Sequence, residues 1–371
     1  MVAVPRQAQI GACAKLETDM TISYHAKPRN GSSLWRAATA ALFAVTAAAS
    51  PIAAHAGEDL DAIVSRGVIK VGVGSQPGFF APDETGEWKG FFVDFGRALA
   101  VTLFNDPTKV EFTSSSPQQR LPALQAGEFD ILLSGVTQTI SRSFQLGFHF
   151  GPTIFYDGQG LLVSKDLGVT SGADLDGATI GVQSGTTGEL NIADFFRKNG
   201  KTFTPVTIED TNEFLAALES GRVDAITQDS SDLGIKQTQL ANPDNYILLP
   251  ERLSKEPLAP AIRHGDDRWL EIVNWTVWAT IQAEELGITR SNVDEFLTSQ
   301  DPLIQRFLGT EPALGEAIGL DPKFAYNIIK AVGNYGEIFE RNVGQDSIFK
   351  WERGYNSLWT DGGLLYAPAW R

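Results

Sequence analysis

The chain has 371 residues, of which 43% are hydrophobic and 20% charged, and its formal net charge is −15. That length is enough for two ordinary domains, and the composition is that of a globular protein with a sizeable core. The acidic balance argues against nucleic acid and against an anionic membrane surface as partners.

Residues 21–56 read as an export signal. Lys27, Arg29 and Arg36 form a basic flank, Leu34 to Ala49 is Ala-rich and apolar, and Ala54-His55-Ala56 offers a small-x-small cleavage site. The apolar run stops at Ser50-Pro51, which is short for a membrane anchor. Met20 is a more ordinary start for such a signal than Met1, so residues 1–19 read as an over-extended start. The single cysteine, Cys13, precedes the cleavage site. A chain beginning at Gly57 then has no thiol, which leaves no disulfide, cysteine nucleophile or thiolate metal site.

Beyond the signal, Leu60 to Arg66 is expected to form a short amphipathic helix stopped by Gly67, followed by a strand from Val68 to Val73. The loop Gly74 to Gly78 delivers Phe79 and Phe80. Gly90-Phe-Phe-Val-Asp94 leads into a helix ending near Phe104, and Val110 to Thr113 is the next strand. Alternating strands and helices point to an α/β fold.

The stretch with the most chemistry is Phe129 to Arg142. Its apolar run ends at Ser134-Gly135, and a hydroxyl-rich loop (Ser134, Thr137, Thr139, Ser141) closes on Arg142. Carbonyls and hydroxyls at a strand end accept hydrogen bonds from an ammonium, and a guanidinium holds a carboxylate by two parallel bonds. That suits a small zwitterion; an ordinary strand exit with a surface arginine is the plainer alternative. The stretch has an echo. Leu121 to Asp130 and Leu215 to Asp224 each read as helix, stopping Gly (Gly127, Gly221) and strand, which suggests two similar lobes with strand ends facing a cleft.

Gly147 to Gly160 is irregular, and Gly160 to Val163 is a strand expected to leave the first lobe. Strand Thr179 to Val182 runs through Gln183-Ser184-Gly185-Thr186-Thr187 into a helix. Ser184, Thr186 and Thr187 there suit an anion and an ordinary helix cap equally well. The echo strand ends at Gln228-Asp229, where Asp229 is either an ammonium partner or a cap for the next turn. Leu258 to Arg263 returns the chain to the first lobe. The helix Trp269 to Leu286 is amphipathic, and its tryptophans Trp269, Trp275 and Trp278 read as packing. His149 and His264 lie outside the cleft loops, and no metal set, cofactor motif or catalytic Ser/His/Asp set is evident.

Taken together these segments resemble the solute-binding proteins of polar amino-acid ABC importers. Gly90 to Asp94, Ser134 to Arg142, Gln183 to Thr187 and Gln228-Asp229 are similar to that family's ligand elements. Tyr156 to Gly160, Val182 to Thr187, Tyr326 to Arg341 and Leu358 to Pro368 resemble its general L-amino-acid-binding branch. The resemblance covers residues 59–371. It implies an α/β, two-lobed type II periplasmic binding protein fold with a central ligand cleft and a helical C-terminal extension. The implied layout is a signal region (1–56), the first part of lobe 1 (57–163), lobe 2 (164–260), and the completion of lobe 1 with the extension (261–371).

By position, Arg142 would pair with the ligand α-carboxylate, helped by Thr137 and by Thr186 with its N–H, within the helix start that also holds Ser184 and Thr187. Asp229 and the carbonyl of Gly135 or Ser134 would take the α-ammonium, and Phe79 or Phe80 would pack on the aliphatic part. The resemblance further implies periplasmic export, an L-amino acid ligand, the membrane subunits of an ABC transporter as partners, and a monomer. Its rivals are a dehydratase-like enzyme on the same fold and a ligand-binding partner of a chemosensory receptor. The sequence departs from the branch in two ways. Val71, Gly96, Gly181 and Val223 stand where its cysteines are expected, and Ser134-Gly135 replaces an Arg-Asn-like start to the ligand loop. With Arg120 the only candidate second cation, a strong preference for acidic side chains is not expected.

Overall fold

The computed structural model describes residues 57–310 and 314–371. The export signal, its cleavage site and Cys13 lie outside the described residues. In chain order come α1 (Glu58–Arg66), β1 (Ile69–Val73), the short pair β2 (Ala81–Pro82) and β3 (Trp88–Lys89), α2 (Phe91–Phe104), β4 (Val110–Ser114), α3 (Pro117–Gln125), β5 (Ile131–Leu132) and β6 (Phe148–Phe150). Next are β7 (Phe155–Asp157), β8 (Gln159–Ser164), β9 (Thr179–Val182), α4 (Gly188–Lys198), β10 (Thr204–Thr207), α5 (Thr211–Glu219), β11 (Ala225–Asp229), α6 (Ser230–Gln239), β12 (Tyr246–Leu248), β13 (Glu256–Leu258) and β14 (Ala261–Arg263). The chain ends with α7 (Asp267–Glu285), α8 (Pro302–Phe307), α9 (Phe324–Val332) and α10 (Tyr335–Asn342).

Two five-stranded sheets share one plan. The first has the order β4-β1-β5-β14-β6 and the second β10-β9-β11-β8-β12. In each, the first three strands are parallel and the last two run antiparallel to their neighbours. The repeated helix-Gly-strand unit supplies the central strand of each sheet: α3, Gly127 and β5 in one, α5, Gly221 and β11 in the other. Both glycines take left-handed φ, 78° and 71°, the conformation that stops a helix at least cost. β8 and β11 are buried along nearly their whole length, as expected for strands covered by helices on both faces. The sheets therefore define two lobes.

The strand Gln159–Ser164, expected at the end of the first lobe, is instead hydrogen bonded between β11 and β12 of the second sheet. Its unbroken apolar run is that of an interior strand, so the chain crosses between lobes just before it. The outward crossing is β7 and the return is β13, and these pair antiparallel as a two-stranded hinge, with Pro257 opposite Tyr156.

The first lobe is completed by α7 and by the C-terminal extension. Trp269 of α7 is fully buried and donates to Asp130 O at 3.2 Å, so the tryptophan is packing, as its spacing suggested. Gly90 has φ 134°, and a β-carbon there would sit 2.3 Å from the Phe79 carbonyl carbon, so only glycine fits the entry to α2. Asp94, four residues on, accepts from Arg341 (2.8 Å) and Asn342 (2.7 Å) and so anchors the extension. Tyr335 Oη donates to Ile154 O at 2.8 Å, and the Asn356 amide both donates to Tyr156 O (3.2 Å) and accepts from Tyr156 N (2.7 Å). The extension thus grips the hinge strand β7. Among the described residues no helix is long and apolar enough to cross a membrane.

Candidate functional site

The carboxyl ends of β1, β4 and β5 in one lobe and of β9 and β11 in the other open onto a single cavity of about 710 Å³. Crevices at such strand ends are where open α/β sheets bind ligands. Phe79, Phe80, Ser134, Gly135, Thr137, Thr186, Thr187 and Asp229 line it; Arg142 and Ser184 do not. Arg120, Gln76, Gln183, Gln228, Asp232 and Lys236 complete much of the polar wall. His149 and His264 lie against each other outside it, with ring centroids 4.1 Å apart and ring planes tilted by 39°. Among the described residues no group of His, Cys, Asp and Glu could hold a metal ion.

Two buried arginines dominate the first-lobe side. Arg120, on α3, donates through Nη1 to Ser134 O at 2.5 Å, with Gly135 O at 3.4 Å. Its Nε has no partner. Arg142 sits in a π-helical turn (Ser141–Gln145), behind the loop, and donates through Nη1 to Thr137 O at 2.8 Å. Such turns recur at functional sites. Neither guanidinium makes a salt bridge with a described residue. Burial, and then the Arg142 charge, pulls Arg120 down to about 9, which leaves it charged at neutral pH. Burial likewise lowers Arg142, opposed by Glu256 and Asp229. Lys236, also buried in the wall, is neutralised by Asp232 at 2.9 Å.

Asp229 faces them from the end of β11. It occupies the N-cap position of α6, yet its side chain makes no capping bond, so capping is not what its carboxylate does here. Burial, with Asp157, Glu256 and Asp232 nearby, raises it well above the ordinary carboxylate range. Thr187 likewise stands at the N-cap of α4 without a side-chain cap bond. The Ser134 and Gly135 carbonyls, expected to take an ammonium, already accept from Arg120, and a cation on the same oxygens disfavours a second one.

Behind the thresholds of both lobes lies Glu256 of the hinge strand β13, 1% exposed. Its Oε2 accepts from Thr137 Oγ1 (2.5 Å) and Thr187 Oγ1 (2.8 Å), and its Oε1 from Asn191 Nδ2 (2.7 Å) and Ser254 Oγ (2.5 Å). The lobes also meet across the cleft. Lys236 Nζ donates to Gln76 Oε1 (3.3 Å), Gln76 Nε2 donates to Asp232 O (3.2 Å), and Gly185 lies against the backbone of Gln118. Gln228 donates to Gln183, which donates to Glu209 O at 3.1 Å. Three buried polar atoms on residues of the cavity wall have no partner: Arg120 Nε, Ser134 Oγ and Gln228 Oε1. Such orphans are rare in folded interiors unless something else satisfies them.

Glu256, Lys236, Gln183 and Gln76 were not singled out from sequence. Lys236 carried a usable signal, its i,i+4 spacing from Asp232 on one helix face, whereas Glu256, next to Lys255 in a short extended segment, carried none.

Comparison with known proteins agrees with this geometry. The family model of bacterial extracellular solute-binding proteins, family 3, matches residues 69–289. The chain is 50% identical over 333 residues to the general L-amino acid-binding periplasmic protein AapJ of Rhizobium johnstonii, covering 89% of this chain and 97% of that one. It is 44% identical over 336 residues to the glutamate/glutamine/aspartate/asparagine-binding protein BztA of Rhodobacter capsulatus, covering 89% and 99%. A solved structure of an ABC transporter periplasmic binding protein from Brucella ovis with glutathione bound superposes with a TM-score of 0.82 at 46% identity, covering 85% of this chain and all of that one. The two-lobed fold, the cleft and these matches agree: the chain belongs to family 3 of the bacterial extracellular solute-binding proteins.

Proposed function

We propose that this chain captures an L-amino acid between its lobes in the periplasm and delivers it, as a monomer, to the membrane subunits of an ABC importer. The observation that carries this reading is the pairing of charge in one cavity. Two buried guanidiniums on the first-lobe side, Arg120 in the cavity wall and Arg142 behind the loop, make no salt bridge with a described residue, and the half-buried carboxylate of Asp229 faces them across the cavity from the other lobe. An α-amino acid supplies both missing partners at once. In this reading the ligand carboxylate lies with Arg120 and Arg142, its ammonium with Asp229, and its aliphatic part against Phe79 and Phe80. The names of the two relatives point the same way. The family consists of binding proteins, so turnover is not expected.

A thermal-shift panel of the twenty amino acids with sugars and polyamines as controls tests the proposal. A ligand at a hundred times its Kd adds about 2.7 kcal/mol to the folded state, a rise of several degrees. No rise with any amino acid would overturn it. Glutathione belongs in the panel, because 710 Å³ lies within the range of pockets that enclose drug-sized ligands and the Brucella ovis relative holds glutathione. A larger shift with glutathione than with every amino acid would favour that second ligand class.

A further inference from the structure

One ion pair in the cavity wall is left over once the ligand's α-groups have their partners. Lys236 and Asp232 stand one turn apart on α6 of the second lobe, bond at 2.9 Å, and both line the cavity. Lys236 is 1% exposed, so its ammonium is out of reach of bulk water. A lysine ammonium has three protons to give and nothing to accept with. Asp232 Oδ2 takes one, and Gln76 Oε1, from the loop after β1 of the first lobe, takes a second at 3.3 Å. Among the described residues nothing takes the third. Asp232 is half used in the same way. Its side chain is 21% exposed and takes Lys236 on Oδ2 alone, which leaves Oδ1 able to accept. Gln76 pins the pair from across the cleft, since its Nε2 also donates to Asp232 O at 3.2 Å.

The geometry points to Lys236 and Asp232 as a side-chain subsite that takes a terminal carboxamide, and so to L-glutamine and L-asparagine as the preferred class. A primary amide carries one acceptor oxygen and one donor nitrogen side by side. Its oxygen would take the third proton of Lys236, and its nitrogen would donate to Asp232 Oδ1. Position agrees with this. Asp232 lies three residues beyond Asp229, a separation of about 5–6 Å between neighbouring helical positions, and a side chain of two methylenes covers such a gap. Lys236 reaches back along α6 to the same place, because helical side chains lean toward the N-terminus. Lys236 is a second cation that the sequence reading, with Arg120 alone, did not provide. It still gives no acidic preference, since a ligand carboxylate has no proton for Asp232 and sets like charge against it. An aliphatic side chain leaves both partners unpaired, and sites built to hydrogen-bond a ligand reject analogues that lack the group. The inference rests on the amino-acid reading above and adds the side chain that this site selects.

The test is calorimetry on the exported chain with L-glutamine, L-alanine, L-methionine and L-glutamate as probes. Lys236→Met combined with Asp232→Asn removes both charges together, so that neither is left buried and unpaired. Alanine is too short to reach the pair. The double variant should therefore cut the ratio of glutamine to alanine affinity by on the order of tenfold or more. Equal losses for the two ligands mean that the pair and Gln76 only latch the lobes, and this overturns the inference. So does an unchanged affinity for glutamine. Should the double variant not fold, the wild-type protein decides. It should bind glutamine at least about tenfold more tightly than methionine, which is similar in length but has no amide, and than glutamate. Parity with either overturns the subsite. Wild-type protein that binds no amino acid overturns both readings; binding without this discrimination overturns only the present one.

Discussion

Arg120 and Arg142 brace one loop at two points three residues apart: Arg120 Nη1 donates to Ser134 O at 2.5 Å and Arg142 Nη1 to Thr137 O at 2.8 Å. Arg120 Nη1 also reaches Gly135 O at 3.4 Å, and the Nε of Arg120 is left over. Two buried cations this close are tolerable only when an anion sits between or beside them.

Replacing either guanidinium with a neutral side chain of similar length should therefore strand the ligand carboxylate. Arg120→Met and Arg142→Met are each expected to lose about 100- to 5,000-fold in affinity, the equivalent of 3–5 kcal/mol. Calorimetry with L-glutamine measures this. A loss under about threefold would remove that arginine from the site.

Asp229 gives a prediction with a definite sign in pH. Its folded carboxyl is raised above the ordinary 3.8 by burial first and then by neighbouring carboxylates. A group raised in this way has its full stabilising effect below the unfolded value, and that effect is lost as pH rises through the folded one. Asp229→Asn should therefore melt above wild type at pH 8 without ligand, by about 2–4 °C for each kcal/mol recovered, and the gap should close toward pH 4. The same variant should not bind L-amino acids. Melting curves across pH 4–8 check the first part and calorimetry the second.

Ligand binding should also be linked to proton release. An ammonium placed against Asp229 lowers its pKa, so a proton held in the empty protein leaves on binding. Affinity should rise with pH over the range where empty Asp229 titrates. The apparent binding enthalpy should vary with the ionisation enthalpy of the buffer. An enthalpy identical in phosphate and Tris would contradict it.

Gly185 tests closure separately from chemistry. It has φ 77°, and a β-carbon there would lie 2.8 Å from Gln118 Cα in the other lobe. Gly185→Ala should weaken binding on the order of tenfold, because it both strains the backbone by about 1–2 kcal/mol and holds the lobes apart. X-ray scattering should show the variant remaining open with ligand present.

Much of the fold was legible because its signals are local. The stop glycines Gly127 and Gly221, the apolar runs after them and the alternation of strand with helix all act within a few residues, and they yielded both lobes. The crossing point was missed because β8 is a buried run whose sheet is decided by partners, β11 and β12, that lie far along the chain. In the site, Ser134, Thr137, Thr186, Thr187 and Asp229 were found because a loop at a strand end is readable. Arg120 was named but discounted, since helix periodicity does not say that an arginine turns inward beneath a loop fourteen residues on. Glu256 was invisible because its meaning lies in four partners drawn from Thr137, Thr187, Asn191 and Ser254. The direction of a hydroxyl proton is beyond any pattern of residue types.

The Asn356–Tyr156 pair has a bearing on solubility. A two-stranded ribbon such as β7–β13 has outer rims of unpaired peptide groups, and such rims recruit strands from other molecules. On one rim, the Asn356 side chain gives Tyr156 the donor and acceptor that a third strand would have supplied. On the other, Pro257 has no N–H to leave unpaired, and its carbonyl accepts from Gln138 N at 3.0 Å. The ribbon is thus sealed by single residues instead of whole strands. Single-residue seals travel with a bending ribbon, so the two lobes can swing without presenting a template onto which a second copy could zip.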